Sequence, residues 1–213
     1  MNCSGSPIGL EPETGRCGAI LQAWYPGAAG GKAVAEAIFG EYSPEGKLPV
    51  TFYRTSEELP EFTDYAMKGR TYRYMEKEAL YPFGFGLSYT SFEQGKTSAD
   101  RMEIEAGGQL RIKTSVKNTG KFAGGQTIQV YVKALRDNTP NAQLKGLKKL
   151  SLQPGEEKTL AGTQERHHPR PEHSGGHHRA HLALAGDEDG EQAGAADLLG
   201  GAVDGLQNSA RLD

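Results

Sequence analysis

The sequence is short of cysteine, of clustered positive charge and of long apolar runs, and each shortage removes a class of protein. Only Cys3 and Cys17 occur, too few for a disulfide framework and wrongly spaced for a zinc knuckle. They could pair with each other, although nothing else in the sequence asks for it. The 24 basic and 27 acidic residues, net charge −3, are scattered along the chain, so no basic face offers itself to phosphates and no nucleic-acid partner is expected. Met1 to Leu10 has neither the basic start nor the apolar run of a signal peptide, and nothing later approaches a membrane span. A membrane partner is therefore not expected; the compartment stays open, because a signal could belong to an upstream part. With 36% hydrophobic and 8% aromatic residues, 29 Gly and a mean hydropathy of −0.60, a single compact core through all 213 residues is not expected.

The aromatic weight that exists is concentrated early. Trp24, eight of the nine Tyr, and Phe39, Phe52, Phe62, Phe83 and Phe85 precede residue 91, so the main packed core is expected there. Ala19 to Trp24 (AILQAW) is a short apolar run closed by Pro26 and Gly27, which predicts a buried strand and a turn. From Gly30 to Phe39, Val34, Ala37 and Ile38 recur at helical spacing, and Gly40 stands where a left-handed C-terminal cap would. One strand-turn-helix unit cannot bury both faces of its strand without neighbours in a parallel sheet. The expectation is a truncated α/β remnant in which Met1 is an internal methionine taken as a start.

From Ser43 to Tyr89 a Pro or Gly interrupts every few residues, which predicts a largely irregular, aromatic-anchored connection; loops of that length are uncommon unless functional. After Phe92 the texture turns to alternation. Leu110, Ile112, Thr114 and Val116 share one face, and Ile128, Val130 and Val132 repeat the pattern, with turn residues between them, as antiparallel strands require. Lys148 to Leu152 and Lys158 to Leu160 complete about four strands, where an immunoglobulin-like sandwich needs about seven. From Ala161 the chain holds nine Gly, nine Ala, all six His, and no Lys, Ile or aromatic residue; no secondary structure is predicted there. The fold class expected is thus an α/β remnant followed by an incomplete antiparallel β-sandwich, with a disordered C-terminal tail.

Two long motifs, AILQAWYPGAAGGKAVAEAIFGEYSPEGKLPVTF (19–52) and GRTYRYMEKEALYPFGFGLSYTSFE (69–93), resemble the C-terminal part of family 3 glycoside hydrolases. The resemblance covers roughly residues 1–160. It implies a parent β-glucosidase or β-xylosidase with an N-terminal barrel, an α/β sandwich domain and a fibronectin type III-like domain, acting on a β-linked oligosaccharide or glycoside without metal or organic cofactor. Residues 1–52 would finish the α/β sandwich domain, 53–90 would be an aromatic, Gly- and Pro-rich connector, 91–160 a truncated fibronectin type III-like domain, and 161–213 the tail. Such enzymes retain configuration with a nucleophile and an acid/base about 5 Å apart. In the family the nucleophilic Asp lies in the barrel and the acid/base Glu usually upstream of the strand matching Ala19 to Trp24, so neither position falls within this sequence. No catalytic role is assigned to Glu11, Glu13, Glu36, Glu57, Glu58, Glu61 or Asp64, and the missing upstream domains are the expected partners.

For substrate binding the candidates are Trp24, Tyr25, Arg70 and Tyr72. Trp24 and Tyr25 could stack on a sugar at the carboxyl end of a strand, although core packing is the favoured reading. Arg70 and Arg73 are interleaved with Tyr72 and Tyr74 in a segment read as extended, where they could clamp a carboxylate or stack on rings; a structural clamp between domains is preferred. Gly27, Gly30 and Gly31 lack the Lys-Ser/Thr ending of a phosphate loop and are read as close strand-helix packing. The glycines of YPFGFGLSYT (81–90) let the Phe83 and Phe85 rings anchor the connector. His167, His168, His173, His177, His178 and His181 would bind nickel or zinc opportunistically, but no dedicated metal site is assigned. The abrupt change of composition near residue 160 suggests a shifted reading frame. A stand-alone carbohydrate-binding or protein-interaction module is the alternative function, and an exposed planar row of Trp24, Tyr25 or Tyr72 would favour it.

Overall fold

The structure is a computed structural model that describes residues 1–101, 108–134, 139–165 and 180–185. It divides into two compact units, Met1–Leu87 and a second that begins at Ser88.

The first unit has little regular structure. Its helices are α1, Glu11–Thr14, α2, Gly30–Ile38, and α3, Thr71–Tyr74, with a 3₁₀ turn at Ser56–Glu58. α2 ends as its glycine predicts. Gly40 takes φ 77°, its N–H donates to Ala37 O (3.1 Å) and the Glu41 N–H to Glu36 O (2.8 Å); these paired bonds of a Schellman cap satisfy carbonyls the helix cannot. The strand expected at Ala19–Trp24 is reduced to one parallel bridge, Gln22 with Asn2, made by Asn2 N to Leu21 O and Ala23 N to Asn2 O, both 2.8 Å. Trp24 has φ 55°, a left-handed conformation that ends any extended run. The strand-turn-helix order is present, but among the described residues no ladder of neighbours extends the pairing.

The second unit carries seven strands among the described residues, against the four or so expected: β1 Phe92–Gln94, β2 Ser98–Ala99, β3 Gln109–Asn118, β4 Gly124–Ala134, β5 Gln143–Leu152, β6 Glu157–Glu165 and β7 Ala180–Ala185. β3 pairs antiparallel with β1 and β2 and with β6, forming one sheet; β4 lies between β5 and β7 in the other. The alternation in β3 holds as read: Ile112, Thr114, Val116 and Asn118 are buried while Arg111, Lys113 and Lys117 are exposed. Phe92, Val116 and Leu160 from the first sheet and Ile128, Val130, Leu150 and Leu152 from the second form one core, so the sheets pack face to face. Lys148 opposes Ile128 on the edge strand β5 and is exposed; a charge there discourages further strand pairing.

Two expectations are corrected. No secondary structure was expected after residue 160, yet Ala161–Glu165 extends β6 and Ala180–Ala185 pairs with β4 as β7; strands need only backbone partners, and a composition of Ala, His and Leu does not forbid them. The remainder of that segment, His167, His168, His173, His177 and His178 included, lies outside the described residues, as does the side chain of His181. The main core was expected before residue 91. The buried apolar side chains there are Leu10, Ala37 and Phe52, whereas Phe92, Ile112, Val116, Ile128 and Leu152 are buried in the second unit. Aromatic content is not burial: Tyr25, Phe39, Phe62 and Tyr65 are each at least 80% exposed.

Candidate functional site

The best-organised part of the first unit is a loop closed at its base. The Leu48 N–H donates to Phe85 O (2.8 Å) and the Gly84 N–H to Leu48 O (2.8 Å), while Phe52 N donates to Tyr81 O (2.9 Å) and Leu80 N to Phe52 O (2.9 Å). Residues 48–52 and 80–85 are thereby zipped antiparallel, and residues 53–79 are held as a closed loop. Rings seal the zip. Phe52, fully buried, meets Trp24 at 6.2 Å and Tyr81 edge-on at 6.3 Å, and Tyr81 stacks on Phe85 at 5.3 Å. Burial raises the Tyr81 phenol pKa above its ordinary value. Gly86 is required where it stands, because a Cβ there would collide with the Gly46 carbonyl oxygen, and Lys47 Nζ donates to Gly86 O.

Within the loop, Tyr53 Oη accepts from the Thr71 N–H at 2.7 Å, fixing Thr71 in a left-handed conformation, φ 55°, at the start of α3. Arg70 turns its guanidinium onto the chain before it: Nε donates to Ala66 O (3.1 Å) and Nη2 to Glu61 O (3.2 Å) and Asp64 O (2.6 Å). A recess of about 120 Å³ lies beside these residues, lined by Tyr53, Glu58, Lys68, Met75 and Lys77 among others. Small-molecule sites are usually ~300 Å³ or more, so it does not offer a sugar an enclosed seat.

The four binding candidates are not brought together as a platform. Trp24 packs on Phe52; Tyr72 stacks on Phe83 at 4.2 Å and 13°; Arg70 is spent on carbonyls of its own loop. Tyr25 is 80% exposed, its ring lying over Gly5, where a Cβ would collide with it. The GRTYRY segment, expected to be extended, is a helical turn from Thr71 to Tyr74, and its two arginines have different contacts: Arg70 binds backbone carbonyls, while Arg73 lies over the Tyr74 ring, 5.7 Å from its centroid. The clamp that Arg70 makes is inside the first unit.

The carboxylates have local roles. Glu36 pairs with Lys32 (3.4 Å) on α2, Glu58 accepts from the Arg54 N–H (3.0 Å), and Asp64 Oδ1 accepts from the Ala66 N–H (2.8 Å). Arg54 also contacts Glu11 (3.3 Å) and Glu78 (3.5 Å) through different nitrogens. Its guanidinium thus stands between two carboxylates, where a glycosidase pair needs room for the anomeric carbon. One Glu13 oxygen is buried without a hydrogen-bond partner. Among the described residues no cluster of His, Cys, Asp and Glu could hold a metal, and no helix is long and apolar enough to cross a membrane. Sequence reasoning missed the Arg70 brace, because its partners are backbone carbonyls, which leave no trace in side-chain pattern.

Residues 1–89 match the Glycosyl hydrolase family 3 C-terminal domain, and the chain belongs to that family as a C-terminal part of it. A xylan 1,4-β-xylosidase of Xylanibacter ruminicola is 50% identical over 161 residues, covering 75% of this chain and 18% of that enzyme. A periplasmic β-glucosidase of Salmonella typhimurium is 36% identical over 172 residues, covering 74% and 22%. Among solved structures, the β-glucosidase of Kluyveromyces marxianus in complex with glucose superimposes with TM-score 0.66 at 35% identity, over 76% of this chain and 21% of that one. The chain therefore spans about a fifth of the length of these relatives.

Proposed function

We propose that this chain is the C-terminal portion of a retaining β-glycosidase whose parent hydrolyses terminal β-linked glucosyl or xylosyl residues, and that these 213 residues do not by themselves catalyse. Residues 1–52 close an α/β sandwich domain, 53–90 connect, and 91–160 form a truncated fibronectin type III-like domain. The observation that carries this reading is the family match over residues 1–89 together with coverage of only 18% and 22% of a xylosidase and a glucosidase. The parallel bridge ahead of α2 and the two antiparallel sheets sharing one core support the division. The dispersal of the described carboxylates supports the absence of a catalytic pair: Glu11 and Glu78 both contact Arg54, Glu58 and Asp64 accept backbone N–H groups, and a retaining enzyme needs two facing one sugar. A stand-alone sugar-binding module is less supported, since Trp24 and Tyr72 are engaged with other rings.

The test is covalent. A 2-fluoroglycoside with a good leaving group traps the nucleophile of a retaining glycosidase as an ester, visible by intact mass. The full chain is expected to gain no glycosyl adduct with glucosyl or xylosyl reagents; a stoichiometric adduct would place a nucleophile in this sequence and overturn the reading.

A further inference from the structure

Leu59 to Met67 is apolar at intervals and almost wholly outside the core. Phe62 is 92% exposed, Tyr65 88%, Met67 47% and Leu59 43%. Two rings held in water within four residues are costly unless something covers them. Flexibility does not explain their position, because the backbone beneath them is tied down. Arg70 bonds the carbonyls of Glu61, Asp64 and Ala66, Asp64 N donates to Glu61 O (3.0 Å), and Asp64 Oδ1 accepts from Ala66 N (2.8 Å).

We propose that residues 59–67 are a preformed docking apex, braced from below by Arg70, which seats Phe62 and Tyr65 in an apolar recess on the upstream portion of a family 3 glycoside hydrolase. The inference rests on the function proposed above and adds the surface through which the two portions meet. Three observations favour that occupant. The matched part covers only 18% and 22% of these relatives, so a large body is available to cover the apex. The carbonyls at 61, 64 and 66, which sugar hydroxyls could have used, already accept from Arg70, leaving ring faces suited to a dry protein contact. The brace also removes the ordering cost that a loose loop would incur on docking. Exposed Glu61 and Asp64 flank the rings, so the recess should carry a basic rim, which speeds encounter at low salt.

The experiment mixes the full 213-residue chain with the tagged upstream portion of the Xylanibacter ruminicola xylosidase. That portion is first shown to be competent by its capture of its own C-terminal segment. The wild-type chain is expected to bind it. Phe62→Ser with Tyr65→Ser should weaken binding by about tenfold or more, as loss of aromatic anchors does. Arg70→Met should weaken it by several-fold with an unchanged far-UV spectrum, and Phe122→Ser, at an exposed position of the second unit, should have no effect. If the wild-type chain binds and the loop variants bind equally well, the apex is not the contact, while the function proposed above stands. If the wild-type chain does not bind the competent partner, that function fails as well. Binding of insoluble xylan that depends on Phe62 and Tyr65, or self-association abolished by the same pair of substitutions, would overturn the assignment of the occupant.

Discussion

Thr90 donates its hydroxyl to Asn118 Oδ1 at 2.7 Å, joining the segment that enters the second unit to the end of β3. Both residues are buried, Asn118 completely. The Asn118 amide is fully used: Oδ1 also accepts from the Gly120 N–H (3.0 Å), and Nδ2 donates to Phe122 O (2.8 Å) and Leu152 O (3.1 Å). Its backbone N–H donates to Glu156 O and its carbonyl accepts from the Gly155 N–H, both at 2.9 Å. One side chain thus ties together the ends of β3, β4's lead-in turn and β5. Removing it strands several buried polar groups, each worth ~1–3 kcal/mol.

Asn118→Ala is therefore expected to destabilise the second unit by about 3 kcal/mol and Thr90→Val by about 1 kcal/mol. Urea unfolding followed by far-UV circular dichroism checks both. In a double-mutant cycle the two effects should be less than additive, since they share a bond; full additivity would show that the bond contributes nothing.

Glycine substitutions should separate space from conformation. Gly120→Ala places a Cβ 2.6 Å from the Ser91 nitrogen and is expected to cost about 3 kcal/mol through overpacking. Gly40→Ala has open space but φ 77°, so it should cost about 1 kcal/mol through backbone strain alone. Gly31→Ala, in α2 with nothing near and ordinary φ, should stabilise by about 0.5–1 kcal/mol. Denaturation midpoints of the three variants check the order; Trp24, the single Trp, reports on the first unit.

The regular parts of the fold were legible because local and tertiary forces agree there. In β3 the period-two pattern and the buried face coincide, and in α2 Gly40 marks the end, although of the apolar positions read there Ala37 is buried and Ile38 is 60% exposed. β5 was read from Lys148 although it begins at Gln143, because Lys145 is skipped between the pairs Val130–Gly146 and Tyr131–Leu144. Such a bulge reverses the alternation and hides the strand. GRTYRY reads as extended although it is helical from Thr71, since its conformation is set by a hydrogen bond that the Thr71 N–H donates to Tyr53 Oη, 18 positions away. The exposure of Phe62 and Tyr65 was equally illegible: an aromatic residue looks like core until its neighbours are known. The binding candidates Trp24 and Tyr72 were recognisable as important rings, but only the packing shows that each is occupied by another ring.

Two carboxylates of the second unit have lowered pKa values and so contribute to its acid response. A hydrogen bond from the Arg111 N–H (3.0 Å) holds the Asp100 carboxyl below its ordinary value. The Gln153 N–H (2.7 Å), assisted by Lys158, does the same for Glu156. A depressed folded-state pKa gives stability that is present above the unfolded value and lost as pH falls through the folded one. The melting temperature should therefore decline below about pH 4, and Asp100→Asn with Glu156→Gln should flatten that decline while leaving the curve between about pH 6 and 8 parallel to wild type. An acid limb unchanged by the pair would show that other groups govern it. At the opposite extreme Tyr81, raised by burial, should favour the folded state until pH rises through its elevated value, with the loss beginning above about pH 10.

The most direct test of the account is p-nitrophenol release from aryl β-xyloside and aryl β-glucoside by the full chain, alone and with the competent upstream portion of the xylosidase relative. The account predicts no release above buffer from the chain alone and turnover once the two portions are combined. Turnover by the chain alone, abolished by substitution of any of its own Asp or Glu residues, would contradict it.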